Sequence, residues 1–142
     1  MSLTIEKLKN LEPTKEFFVG IDSDGCVFDT MEIKHKECFC PCFVEHLGLQ
    51  AVSRYAREAW EFVNLYSRTR GTNRFKALVR ALELLAARAE VQARKVVPLD
   101  PAPLRDWIAR ETRLGDPTLA VEIGQRPNRD LERILEWSRD VH

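Results

Sequence analysis

The sequence carries one apolar run that ends in acidic residues, Phe17-Phe18-Val19-Gly20-Ile21-Asp22-Ser23-Asp24-Gly25. The run is short, rich in aromatic and β-branched residues, and preceded by charged residues, so it predicts a buried β-strand that leads into a loop. A carboxylate at the end of such a strand lies where open α/β sheets bind their ligands. We therefore expect Asp22 and Asp24 to lie at the ligand-binding edge of an α/β core.

The spacing of the two carboxylates suits phosphoryl transfer. Asp22 and Asp24 are two residues apart, so an extended backbone would point both side chains to the same side. An ordinary Asp has a pKa of about 3.9, so Asp22 would be ionised near neutral pH and could attack phosphorus if a cation screened the charges. Asp24 could protonate the leaving oxygen and then activate water. Gly25 would let the backbone turn sharply, and Asp29 would tie down that turn through backbone hydrogen bonds.

Residues 17–30, which continue as Cys26-Val27-Phe28-Asp29-Thr30, resemble the first motif of the haloacid dehalogenase (HAD) superfamily. That motif is an apolar strand followed by Asp-x-Asp-Gly-Thr-apolar-apolar-Asp. The resemblance implies an α/β HAD-like fold with a Rossmann-like core in the complete protein, with Asp22 as the nucleophile and Asp24 as the general acid and base. It implies Mg²⁺ as cofactor, held by the Asp22 carboxylate and the Asp24 backbone carbonyl. Cys26 replaces the usual Thr and lacks its hydroxyl.

An Asp at the second position of the motif is typical of the superfamily's phosphatases and phosphotransferases. The resemblance therefore implies hydrolysis of a small phosphorylated substrate through an aspartyl phosphate at Asp22. The simplest alternative is that residues 22–25 form an ordinary solvated turn.

The chain after this loop predicts helices almost throughout. Apolar residues at steps of three and four form one stripe over residues 52–66 and another over residues 75–86. Pro41 predicts either a kink in one helix or the start of a new helix that ends at Gly48. Helix starts are predicted at three capping residues, Asn73, Asp100 and Asp116, and a last helix is predicted to run from about Asn128. We therefore expect this chain to be mostly α-helical, with one core strand.

Two parts are expected along the chain. Residues 1–30 would begin the Rossmann-like core and carry the catalytic loop, and residues 31–142 resemble the helical cap that the superfamily often inserts after this motif. Residues 67–74, the reading loop, join two predicted helices and suit anionic substrate groups. The candidate substrate-binding residues are Arg70, Gly71, Asn73 and Arg74. A solvated loop between helices is an equally good interpretation.

The superfamily's core also uses a Ser or Thr after a second strand, a phosphate-holding Lys and a late acidic pair, and we find no matching segments. We therefore expect the rest of the core to be missing, and the isolated chain to show little turnover. The alternative is a noncatalytic helical interaction module whose apolar stripes bind another subunit. Exposed Phe17 and Phe18 would favour self-association, or association with the missing core.

Composition excludes some classes of partner. Lys plus Arg equals Asp plus Glu at 22 each, so no basic excess indicates nucleic acid or an anionic membrane. No apolar run could span a bilayer, and residues 1–10 do not resemble a signal peptide, so we expect a cytoplasmic protein. The cysteines near residue 40 are poorly spaced for zinc and predict buried thiols. Three tryptophans are expected in the core or at an interface, Trp60, Trp107 and Trp137.

Overall fold

The computed structural model describes residues 6, 9, 10, 12, 14–17 and 19–141, which are mostly helical and contain no β-strand. Helix α1 has three consecutive segments, the α-helical Met31–Ile33, the π-helical Lys34–Phe39 and the α-helical Cys40–His46. Helix α2 consists of a 3₁₀ turn at Gln50–Val52, the α-helical Ser53–Glu61 and the π-helical Phe62–Tyr66. The remaining helices are α3 (Arg74–Ala86), α4 (Ala89–Ala93), α5 (Ala102–Arg110), α6 (Asp116–Gln125) and α7 (Arg129–Asp140). The prediction of a mostly helical chain is confirmed.

The predicted core strand before Asp22 is not formed by the described residues. Phe17, Val19 and Ile21 lie outside any strand and are 83%, 78% and 74% exposed, whereas Phe18 lies outside the described residues. A strand is stabilised by hydrogen bonds to a neighbouring strand, and the described part of the chain offers none to pair with. An apolar β-type sequence alone therefore does not produce the strand.

Helix α1 shows both effects predicted for Pro41, a distortion of one continuous helix and the start of a new α-helical segment. The helix runs on through residues 31–46, but the turns before the proline widen to a π-helix, in which the Cys40 N–H donates to the His35 carbonyl. Pro41 lies at the start of the α-helical segment that follows, where its missing N–H costs least. The α-helical segment ends at His46, and Gly48 turns the chain with a left-handed φ of 67°.

Asn73 caps α3 as predicted, the last helix begins after Asn128 as predicted, and α5 begins one residue later than predicted, after Pro101. The side chain of Asn73 accepts from the Phe75 N–H, and that of Asn128 accepts from the N–H groups of residues 130 and 131. Asp100 similarly accepts from the Ala102 N–H at 2.9 Å. The prediction for Asp116 was wrong by one residue: Gly115 caps α6, and the Asp116 carboxylate accepts a hydrogen bond from Ser138 instead.

The core forms where α2 packs against α1 and α3, while α7 covers α1 and α6. The prediction of core tryptophans is confirmed, since Trp60, Trp107 and Trp137 are each at most 1% exposed. Trp60 and Trp137 meet edge to face with ring centroids 5.6 Å apart, a favourable aromatic geometry. Cys40 is buried in the same cluster, whereas Cys38 is exposed. This packing fixes the positions of α1, α2 and α3, which surround the candidate site.

Candidate functional site

The acidic loop, residues 22–30, forms a tight turn around Gly25. Gly25 has a φ of 72°, and its N–H donates to the Phe28 carbonyl at 2.9 Å. The Ser23 carbonyl accepts from the N–H groups of Val27 and Phe28 at 3.1 and 3.0 Å. A left-handed φ costs a residue with a side chain about 1–2 kcal/mol, so glycine suits this position. The loop is thus held by its own backbone at the N-terminal end of α1.

Asp24 is held by two side chains from the start of α1. Thr30 Oγ1 donates to Asp24 Oδ1 at 3.2 Å, and Lys34 Nζ donates to Asp24 Oδ2 at 2.9 Å. The hydrogen bond and charge of Lys34, aided by Thr30, lower the pKa of Asp24 below its ordinary 3.8. Because the Asp24 and Lys34 side chains are 47% and 43% exposed, solvent screens the pair. The contact therefore orients Asp24 and favours its carboxylate form, and it contributes little to the stability of the fold.

Asp22 lies on the exposed side of the loop. Its side chain is open to solvent, and no described residue forms a hydrogen bond or salt bridge with its carboxylate. Asp29 is exposed in the same way. The loop therefore presents two accessible carboxylates, Asp22 and Asp29, and a third that is already oriented, Asp24.

A cavity of about 260 Å³ opens beside the acidic loop, and we call it the Lys34 cavity. Its polar lining residues are Lys34, His35, Asn64, Thr72 and Arg74. Its other lining residues are Met31, Phe39, Gly71 and Val141. Because Lys34 also contacts Asp24, one side chain connects the acidic loop to this cavity.

The reading loop contributes two of its four candidate residues to the Lys34 cavity. Gly71 and Arg74 line it, and Gly71 has a left-handed φ of 79°. Arg74 Nη1 donates to the carbonyl and hydroxyl oxygens of Ser138 at 3.1 and 3.3 Å. Asn73 caps α3 and donates to the Leu114 carbonyl at 3.2 Å, so its side chain is engaged in the fold. Arg70 is exposed and is not among the cavity's lining residues.

Lys34 and His35 belong to this site, although the sequence did not suggest a role for either in phosphate or substrate binding. Lys34 follows Thr30 by one helical turn, so both side chains lie on the face of α1 that meets Asp24. His35 lines the cavity, and its buried Nδ1 has no hydrogen-bond partner among the described residues. Burial, and secondarily the charge of Lys34, lower the pKa of His35 below 6.5, so its ring is neutral near pH 7.

The donors near the acidic loop can hold a magnesium ion only with help from water or substrate. Among the residues the structure describes, no three His, Cys, Asp or Glu side chains cluster as a metal site. Magnesium is, however, commonly bound by one or two carboxylates, with waters and substrate phosphate completing the shell. The exposed Asp22 carboxylate fits that role. The hydrogen bonds of the turn use the carbonyls of Ser23 and Phe28 and not that of Asp24.

No protein-family model, curated protein or solved structure matches this chain. Each helix in the described part of the chain is too short or too polar to cross a bilayer.

Proposed function

We propose that this chain carries the nucleophile and the general acid and base of a magnesium-dependent phosphate monoester hydrolase of the HAD-like type. The supporting observation is the acidic loop, where Thr30 and Lys34 orient Asp24 while Asp22 stays accessible. In this proposal residues 1–30 begin a Rossmann-like α/β core, and residues 31–142 are its helical cap. A small phosphorylated molecule is the substrate.

Two steps would complete the reaction. In the first, an Asp22 carboxylate oxygen attacks phosphorus, the bond from phosphorus to the leaving oxygen breaks, and protonated Asp24 gives that oxygen its proton. In the second, water attacks the aspartyl phosphate, Asp24 takes the water's proton, and the bond from phosphorus to Asp22 breaks. Phosphate leaves, Asp22 is again a carboxylate, and Asp24 is again protonated.

Such a site must reduce the repulsion between two negative charges, because a carboxylate has to approach an anionic phosphate. Bound Mg²⁺ would screen these charges, with Asp22 and the Asp24 carbonyl as its protein ligands. Lys34 adds a positive charge at the loop, 2.9 Å from Asp24. The reading loop, through Arg70, Gly71, Asn73 and Arg74, would contact the rest of the substrate.

Covalent labelling tests the nucleophile even if turnover is slow. The chain is incubated with acetyl phosphate and Mg²⁺, treated with borohydride to reduce any aspartyl phosphate to homoserine, and analysed by peptide mass spectrometry. We expect homoserine at position 22 in the wild type and none in Asp22→Asn. In Asp24→Asn the label should persist longer, because the base for the second step is gone.

Asp29→Asn is the matched control for this experiment, because Asp29 is an exposed carboxylate of the same loop. It should be labelled at residue 22 like the wild type. Equal labelling of another residue in Asp22→Asn, or no label at residue 22 in the wild type, would refute the nucleophile assignment.

A second candidate function is favoured by the apolar side chains that surround the acidic loop. Phe17, Val19, Ile21, Val27 and Phe28 are 59–83% exposed, which is unusual for so many neighbouring apolar residues. As a noncatalytic module, the chain would use this surface to bind a second copy of itself. Sedimentation should then show a dimer for the wild type and a monomer for the double variant Phe17→Ser, Val19→Ser. The wild type should show no covalent labelling of Asp22.

A further inference from the structure

We propose that the Lys34 cavity binds the leaving group of the substrate, and that this leaving group is a small organic anion with an apolar part. The identification of the bound group as a leaving group rests on the proposed hydrolase function. The preference of the cavity for an anion rests on its own residues.

The charged groups that line the cavity are cationic. Lys34 and Arg74 both line it, and none of its lining residues is Asp or Glu. Lys34 Nζ uses one of its donors on Asp24, and Arg74 uses Nη1 on Ser138. No described carboxylate lies within salt-bridge distance of Arg74. The Lys34 charge is partly offset by Asp24, and the Arg74 charge is linked to Asp116 through the Ser138 hydroxyl, but the cavity lining itself carries two cations and no anion.

Neutral polar groups complete the lining. Thr72 brings a hydroxyl, and buried Asn64 is oriented by a hydrogen bond from Nδ2 to the Trp60 carbonyl at 2.9 Å. His35 Nδ1 is buried and unpaired among the described residues, and such groups in native proteins usually meet a water or a ligand. Its neutral ring could donate to a carboxylate or accept from a hydroxyl. A ligand with acceptor oxygens would use these groups together.

The volume of the cavity and its remaining lining residues favour a ligand that is small and partly apolar. Met31, Phe39 and Val141 form its apolar part. The volume of about 260 Å³ lies below the roughly 300–1,000 Å³ of sites for drug-sized ligands. An aromatic or short aliphatic acid could place its carboxylate near the cationic and polar groups and pack its apolar part against the apolar residues.

Binding of two aromatic probes of similar size, one anionic and one neutral, tests this inference without turnover. The ¹⁵N-labelled chain is titrated with 4-hydroxybenzoate, which is anionic, and with 4-hydroxybenzyl alcohol, which is neutral. We expect 4-hydroxybenzoate to shift the amide signals of residues that line the Lys34 cavity, and the alcohol to shift them far less. Because Lys34 is partly exposed, Lys34→Gln should weaken binding of the acid roughly three- to tenfold.

Lys36→Gln is the matched control, since Lys36 lies on the same helix but pairs with Glu32 and does not line the cavity. Its affinity for the acid should equal that of the wild type. Arg74→Gln should also weaken binding, and circular dichroism would check its fold because Arg74 holds Ser138. Equal binding of acid and alcohol, no response to the acid, or wild-type affinity in Lys34→Gln would overturn the inference.

The titration and the labelling of Asp22, taken together, separate this inference from the proposed function. Labelling of Asp22 without selective binding of the acid would refute only the cavity assignment. Selective binding without labelling would refute the hydrolase, and with it the assignment of the bound anion as a leaving group.

Discussion

Replacing Ser138 by alanine removes a buried hydroxyl that joins three helices. Ser138 lies on α7 with no exposed surface, and its hydroxyl donates to Asp116 Oδ1 of α6 at 2.5 Å. The same hydroxyl accepts from Arg74 Nη1 of α3 at 3.3 Å. The Ser138 carbonyl also accepts from Arg74, at 3.1 Å, and that bond survives the substitution. The variant therefore deletes the bond to Asp116 and weakens the hold on Arg74.

The expected cost follows from the charge of the acceptor. A hydrogen bond to a charged group contributes roughly 1.5–3 kcal/mol net. Asp116 and Arg74 are only partly buried, so water can replace the lost partner at both. We therefore place the loss in free energy of unfolding near the lower limit, at about 1.5 kcal/mol. That is a measurable part of the roughly 5–15 kcal/mol that stabilises a typical domain.

Urea unfolding of four proteins measures this effect: the wild type, Ser138→Ala, Asp116→Ala and the double variant. Asp116→Ala also removes an acidic residue from the first turn of α6, an effect that the double-mutant cycle cancels. We expect a coupling energy of roughly 0.5–1.5 kcal/mol between the two side chains. Additivity within about 0.3 kcal/mol would show that the hydroxyl does not support Asp116, and would refute the reasoning.

Two further predictions concern the acidic loop and α7. Lys34→Gln should raise the pKa of Asp24 toward its ordinary 3.8, because Lys34 is the main cause of the depression. Because folding lowers the pKa of Asp24, its carboxylate stabilises the fold above the unfolded-state pKa, and this contribution is lost as the pH falls through the folded-state pKa. ¹³C NMR titration of the Asp24 carboxyl group would measure its pKa in the wild type and in Lys34→Gln. Asn128→Ala should lower the free energy of unfolding by about 1 kcal/mol, because Asn128 Oδ1 accepts from the N–H groups of residues 130 and 131 at 2.9 and 3.1 Å. Asn128→Gly should cost only a few tenths, and equal unfolding midpoints for the alanine variant and the wild type would contradict the capping assignment.

Helices were predictable from this sequence because their signals are local. Asn73 and Asn128 place an acceptor where free N–H groups occur, and the apolar stripe over residues 52–66 repeats at the helical period. Asp116 was misassigned because its partner, Ser138, lies on another helix that local sequence does not bring near. The strand prediction failed at Phe17, Val19 and Ile21 because strand formation depends on a partner strand that the run itself cannot provide.

The candidate site was predictable in its loop and not in its surroundings. The spacing of Asp22, Asp24 and Gly25 was visible in the sequence, and the turn around Gly25 follows from glycine's freedom at positive φ. The Lys34 cavity is assembled from α1, α2, the reading loop and the end of α7. No sequence period relates those segments, so only their packing reveals that Lys34 contacts Asp24 and lines the cavity with Arg74.

The contact between Lys34 and Asp24 bears directly on the two steps of the proposed reaction. A general acid must carry a proton, and in the resting chain the lysine favours the carboxylate form of Asp24. An anionic substrate at the Lys34 cavity would compete for the same ammonium group, and both the lost contact and the added negative charge would raise the pKa of Asp24. Once the leaving group departs, Lys34 would return to Asp24 and favour the carboxylate, which is the form that activates water. The proposed acid step therefore requires the contact between Lys34 and Asp24 to be broken, whereas the proposed base step keeps it.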